Sequence, residues 1–257
     1  PLDRAPAGRE SGRSWLLRHH LAYHRRGDSE KTDLKPHLSQ TWCLGKLDAL
    51  FLARMEQLLA LYALPYDPAY PVICFDERPC FLIGETLTPV PMQPGKVRKE
   101  HYTYEKLGSC TLFAAIEPLT GRRLGQVYPQ RTKREYTLFC QALAAQYPDA
   151  LKIRLVQDNL TTHNASSFYE HLAAAEAFAL AQRFEFIYTP TSASWLNMIE
   201  CEFAVLTRLC LNRRIPTIDQ LRTAVLALLD ERSRKQITIN WQFSLQAARI
   251  KLNRHYM

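Results

Sequence analysis

The chain has 257 residues, 47% of them hydrophobic, and a formal net charge of +8. That composition can bury a sizeable core, and no run reaches the roughly 18 apolar residues of a membrane span or forms the apolar centre of a secretory leader, so a cytoplasmic globular protein is expected. Seven cysteines (43, 74, 80, 110, 140, 201 and 210) sit mostly in apolar runs without CxxC spacing, which predicts reduced thiols in place of disulfides or zinc.

Residues 1 to 35 are rich in Arg, Gly, Ser and His with little periodicity and read as a basic, poorly ordered arm. A helical lead-in follows over 36–70, with apolar spacing that predicts an amphipathic helix at 44–64, closed by PYDPAYP. VICFDE (72–77) is a β-prone run ending on carboxylates, and CTLFAAIEPLTGRRLGQVYP (110–129) predicts a β-hairpin. A helix at 131–148, a strand at 151–158, an Ala-rich helix at 164–182 and a strand at 184–190 come next. Helices are then expected from about Trp195 to Leu211 and over 217–235, where Thr217 suits the N-cap, and WQFSLQAARIKLNR (241–254) forms a basic, helical tail. The order describes an α/β domain over 71–235: a mixed sheet, with an antiparallel meander and then parallel βαβ strands, flanked by helices, with a basic tail at 236–257.

Basic side chains outnumber acidic ones in 1–36, 90–135 and 208–257, and the reverse holds in 37–89 and 136–207. Such a division suits an enzyme that grips a polyanion while holding cations on carboxylates, although ordinary solvated charge would look the same. Three acids stand at element ends: Asp76, Asp158 in LVQDNLTTH, and Glu200 in the helix after the last strand. Ligands gather beyond the carboxyl ends of strands joined by βα crossovers, so Asp76 and Asp158 converge if their strands are neighbours, and a helix could bring Glu200 to them. Clustered carboxylates repel unless cations are bound, which points to Mg²⁺ or Mn²⁺, and two such ions suit phosphodiester chemistry. Singly, each acid reads equally well as a turn or surface residue, and spacing does not decide between the readings.

FDE, LVQDNLTTH, FLIGET, GSCTLFAAIEPLTGRR and above all FEFIYTPTSASWLNMIECEF resemble the catalytic domain of bacterial insertion-sequence transposases of the mariner-like superfamily, the IS-six-thirty type. The resemblance covers most of the chain from about Leu34. It implies a ribonuclease-H-like fold and an Asp-Asp-Glu catalytic and metal-binding set of Asp76, Asp158 and Glu200. Glu202 is a rival, but it lies about 200° round the helix from Glu200, and the NxxE match of Asn197 with Glu200 favours the latter. The implied activity is metal-dependent cleavage at element ends and strand transfer into target DNA, by a homodimer on double-stranded DNA carrying terminal inverted repeats. A nuclease without strand transfer and an inactive or domesticated DNA-binding relic are the alternatives.

The 41 residues between Asp158 and Glu200 make a long interval, which the Ala-rich helix accounts for. Asn159, His163 and Asn197 are expected to support the acids, and Trp195 to pack beneath the Glu200 helix. Arg213, Arg214, Arg249, Lys251 and Arg254 are candidate phosphate contacts. Nothing in residues 1–33 resembles the helix-turn-helix region that usually opens such transposases, which suggests an out-of-frame remnant or a region supplied by another reading frame.

Overall fold

The computed structural model describes residues 47–256, so the expected arm over 1–35 and the beginning of the lead-in lie outside it. Five strands form one sheet: β1 (Val72–Glu85), β2 (Tyr104–Ile116), β3 (Arg123–Tyr128), β4 (Ile153–Gln157) and β5 (Phe184–Tyr188). Their order is β3-β2-β1-β4-β5; β1, β2 and β3 pair antiparallel, while β4 pairs parallel with both β1 and β5. This is the ribonuclease-H-like mixed sheet, and helices cover both of its faces: α1 (Ala49–Tyr62), α2 (Lys133–Gln146), α3 (Ser166–Tyr169), α4 (Ala174–Gln182), α5 (Ile199–Leu206), α6 (Ile218–Arg234) and α7 (Leu245–Lys251).

Alternation along the strands divides the apolar side chains between two cores. Ile73 and Phe75 of β1 and Ile153 and Leu155 of β4 pack with Tyr136, Phe139 and Leu143 of α2. Cys74 and Val156 point the other way, into a core with Met55 and Leu58 of α1, Phe203 and Leu206 of α5 and Val225 of α6. The helices start where side chains can take up free backbone N–H groups: Thr132 and Glu135 form a capping box at α2, and Thr217 caps α6 as its position in the sequence predicts. Cys74, Cys80, Cys110, Cys140 and Cys210 are free and buried, and Cys201 is free and exposed.

Three elements differ from the sequence expectation, each for a local reason. The helix expected over 164–182 breaks into α3 and α4 at residues 170–173, where the His171 and Leu172 N–H groups both turn back to the Phe168 carbonyl and close α3 in a tight turn. The helix expected from Trp195 is a 3₁₀ turn (Ser194–Leu196), an extended Asn197, then α5 running into a π turn at Thr207–Leu211. The strand expected to stop at Asp76 continues to Glu85 and pairs with β2 as a ribbon that outruns the rest of the sheet. Pro79 is tolerated there because β4 pairs with β1 only over Val72–Cys74, leaving that side of β1 an edge. The ribbon is fastened to the body by Ile83 N–H to the Ile215 carbonyl at 2.9 Å.

The basic tail is not a separate appendage. Ile239, Trp241, Phe243 and Leu245 pack on the core, Ala248 of α7 is fully buried, and Arg249 reaches Glu56 of α1 with two hydrogen bonds of 2.7 Å. The β2–β3 turn abuts the start of this segment: Gly121 adopts φ +75°, and a Cβ there would stand 2.8 Å from the backbone of Gln236 and Ile237. Gly121→Ala meets both a disfavoured backbone angle and a clash, and should cost about 2 kcal/mol. Calorimetry should then show the thermal midpoint lowered by roughly 5 °C; an unchanged midpoint would mean that the two segments slide apart without cost.

Candidate active site at the carboxyl edge of the sheet

The register of β1 and β4 decides where two of the acids stand. Cys74 beside Val156 is the last pair of that parallel register, so Asp76, two residues further along β1, and Asp158, just past the end of β4, both stand at the carboxyl edge of the sheet. The Asp76 carboxyl accepts the Glu77 N–H at 2.7 Å. Burial, together with the nearby charges of Asp158 and Glu200, lifts its pKa from 3.8 to about 7, which places the three carboxylates within electrostatic reach of one another. Glu200 stands in the first turn of α5, its N–H bonded to the Asn197 carbonyl at 3.1 Å. Asn197 is buried, and its side chain donates to the Phe75 carbonyl at 2.8 Å. One amide thus ties the residue before Asp76 to the turn that launches Glu200, a support that the sequence pattern anticipated without its geometry.

Behind Asp158 runs a chain of charges that the sequence reading only half foresaw. His163 is 1% exposed; its Nδ1 meets Asp158 Oδ1 and its Nε2 meets Glu77 Oε1 at 3.1 Å. The imidazole lies stacked on Tyr136 and edge-on to Phe75. Burial pulls its pKa down, but the hydrogen bonds to Asp158 and Glu77 outweigh that and raise it from 6.5 to about 9, so the ring is cationic between two carboxylates. Burial also pushes the Asp158 carboxyl up, and the His163 hydrogen bond and charge more than offset this, leaving it below its ordinary value. Glu77, next to Asp76 but on the opposite face of the strand, is buried and ion-paired with Arg131 at 3.3 Å. Gln157, fully buried, accepts from the Tyr136 hydroxyl and donates to the His163 carbonyl, both at 2.8 Å, fixing the loop between Asp158 and His163. Glu77, Gln157 and Arg131 went unselected in the sequence; the only signal was the alternation of FDE, which gives adjacent acids opposite faces.

The rival acid is taken out of contention by its neighbours. Both oxygens of Glu202 are bound by arginine, from Arg232 at 2.7 and 3.1 Å and from Arg123 at 3.0 Å, and it is 1% exposed. Asn159 is exposed and has no hydrogen-bond partner among the described residues, so it holds neither acid here. Trp195 lies edge-on to Phe243 and is 44% exposed, so it is not the buried support beneath α5 that was expected. Of the expected phosphate contacts, Arg214 is engaged by Glu85 and donates to the carbonyls of His101 and Thr103, and Arg249 is engaged by Glu56. Arg213, Lys251 and Arg254 are exposed and have no carboxylate partner among the described residues. Arg213 lines an open cavity of about 660 Å³ with Arg98, Gln220 and Thr223.

Among the described residues, no three His, Cys, Asp or Glu side chains stand together at metal-ligating distance; Asp158 is turned onto His163. The donor set nonetheless fits a hard divalent cation: it is all oxygen, Asp76 and Glu200 lack an ion-pair partner among the described residues, and a bound dication would relieve the like-charge repulsion that lifts Asp76.

A sheet of this order has the ribonuclease-H-like topology, with Asp76 and Asp158 at its carboxyl edge and the charge of Glu200 within reach of Asp76. Residues 71–222 match the family model of the DDE superfamily endonucleases, and the chain belongs to that family. No curated protein matches its sequence. Among solved structures it is similar to the Mos1 mariner paired-end complex with Mn, at 13% identity over 94% of this chain and 82% of that one, TM-score 0.48. It is also similar to the Mos1 strand transfer complex, at 13% identity over 91% and 80%, TM-score 0.45, and to the catalytic domain of Mos1, at 12% over 76% and 96%, TM-score 0.44. Likenesses this remote decide nothing about chemistry.

Proposed function

We propose that the chain is the catalytic domain of a DNA transposase of the bacterial IS-six-thirty type, cutting at the ends of its element and joining them to target DNA. The observation that supports the reading is that Asp76 and Asp158 stand at the carboxyl edge of one sheet, with the charges of Asp158 and Glu200 both bearing on Asp76, in an endonuclease family, while Glu202 is held by two arginines. Asp76 and Glu200 would hold a divalent cation, Mg²⁺ or Mn²⁺, together with Asp158 once its carboxylate swings from His163. Two bound cations would supply an activated water or 3′ hydroxyl and stabilise the leaving oxygen of the phosphodiester. The protein's own part is positional: Asn197 fixes the distance between the strand of Asp76 and the helix of Glu200, and Gln157 fixes the loop carrying Asp158. Exposed Asn159 stands where it can donate to a phosphate, and Arg213, Lys251 and Arg254 are among the basic side chains with charge to spare for the double-stranded DNA backbone. Two copies of the chain, one per element end, would act on the terminal inverted repeats and the target together.

The test uses oligonucleotides bearing the inverted repeats that flank the gene, with Mn²⁺ and a target plasmid. Cleaved ends joined to the plasmid are expected. Cleavage without joining would favour a plain nuclease of the same fold, and DNA retention without cleavage would favour a relic.

A further inference from the structure

The helix that carries Glu200 is poorly fixed by its own ends. It has eight residues, Met198 at its N-cap position makes no capping bond, and its last turn passes into the π turn at Thr207. A helix this short takes its orientation from what its sides bind. Ile199, Phe203 and Leu206 lie in the apolar core, where contacts are non-directional. Glu202 is different. Arg232 of α6 grips it through Nε and Nη2, and Arg123 of β3 through Nη2, while Arg123 also donates to the carbonyls of Gly121 and Ile237. The helix is therefore bolted to β3, to the β2–β3 turn and to α6 by paired, directional bonds.

We infer that Glu202 is a positioning residue: its two arginines set the rotation of α5 so that Glu200 faces Asp76. Two positions along a helix correspond to about 200°, so the side chain clamped inward at 202 dictates the outward heading at 200. A buried ion cluster is a poor source of stability, since apolar side chains of equal volume often do as well or better, whereas a planar guanidinium fork specifies an angle. The inference rests on Glu200 being the third metal-binding acid.

The experiment measures Mn²⁺ binding to the whole chain without DNA, by titration calorimetry and by the Mn²⁺-induced rise in Tm. Glu202→Gln keeps the volume and weakens the fork, and should lower Mn²⁺ affinity by about tenfold, the loss typical of removing a supporting contact behind a metal ligand. Leu229→Ala, a cavity in the same α6 packing, should lower Tm and leave Mn²⁺ affinity unchanged, separating orientation from stability. Arg232→Lys keeps the charge but loses the fork, and should also weaken Mn²⁺ binding; it decides the matter if Glu202→Gln does not fold. Parental Mn²⁺ affinity in either folded clamp variant, or an equal loss in Leu229→Ala, overturns the inference. Glu200→Gln separates the two levels: if it alone loses Mn²⁺ binding, only the role of Glu202 fails, and if it retains binding, the assignment of Glu200 fails.

Discussion

Asp158→Asn should lower metal-dependent DNA cleavage by roughly a thousandfold or more, the several kcal/mol that metal-held charge contributes to such a transition state. Retention on DNA should persist. The substitution is nearly isosteric, and Asp158 is half exposed at the end of β4, so no core packing is disturbed. An amide can still bond to the neighbouring N–H of Leu160 through its oxygen, which keeps the loop in place. What is lost is one of the two neighbouring negative charges that add to burial in raising the Asp76 pKa toward neutrality, and with it part of the charge that makes a dication welcome. Nicking of supercoiled plasmid in Mn²⁺, beside gel retention of the same DNA, checks both halves. Undiminished nicking by the variant would remove Asp158 from the chemistry.

Replacing His163 should produce the largest change in stability. The cation between Asp158 and Glu77 is enclosed by Phe75 and Tyr136, and His163→Gln leaves the buried Glu77 with only the half-exposed Arg131 for charge compensation. Removing one member of a buried ion pair costs about 3–5 kcal/mol. The pH dependence identifies the cause. The pKa of His163 is raised from 6.5 to about 9 on folding, so its contribution is fully present below the unfolded value and disappears as pH rises through about 9. The parent should lose up to about 3 kcal/mol between pH 6 and 9.5, less whatever solvent screening at Asp158 takes away. Urea midpoints at the two pH values should converge in His163→Gln, and an unaltered slope in that variant would assign the titration to other groups.

The sheet was readable because β-prone runs, prolines and turn residues mark each strand, and Asp158 stands out because it closes one of those runs, whereas β1 passes straight through Asp76. His163 and Asn197 stood close enough to the acids in sequence to be singled out, but the arginine pairings around the site did not. Glu202 finds Arg123 at a separation of 79 residues and Arg232 at 30, and Arg214 finds Glu85 at 129. Nothing in a local pattern distinguishes such an arginine from one held ready for phosphate. The same holds for Arg249 and Glu56, 193 residues apart. The break between α3 and α4 also escaped the pattern, since an Ala-rich run promises a helix and nothing in residues 170–173 is a helix breaker by type.

The opposed faces of Asp76 and Glu77 carry a consequence for how the gene can change. Inserting or deleting one codon in the first half of β1 would exchange the two acids, sending the metal-facing carboxylate toward His163 and its neighbour toward α5. Length variation should therefore be filtered by parity: a single-codon change within β1 ahead of Asp76 should be lethal to activity, while changes in the loop at the outer end of the ribbon, between Glu85 and Tyr104, pass unnoticed. A library of one-codon insertions across residues 70–130, selected for activity, would trace the inner half of β1 as a silent interval.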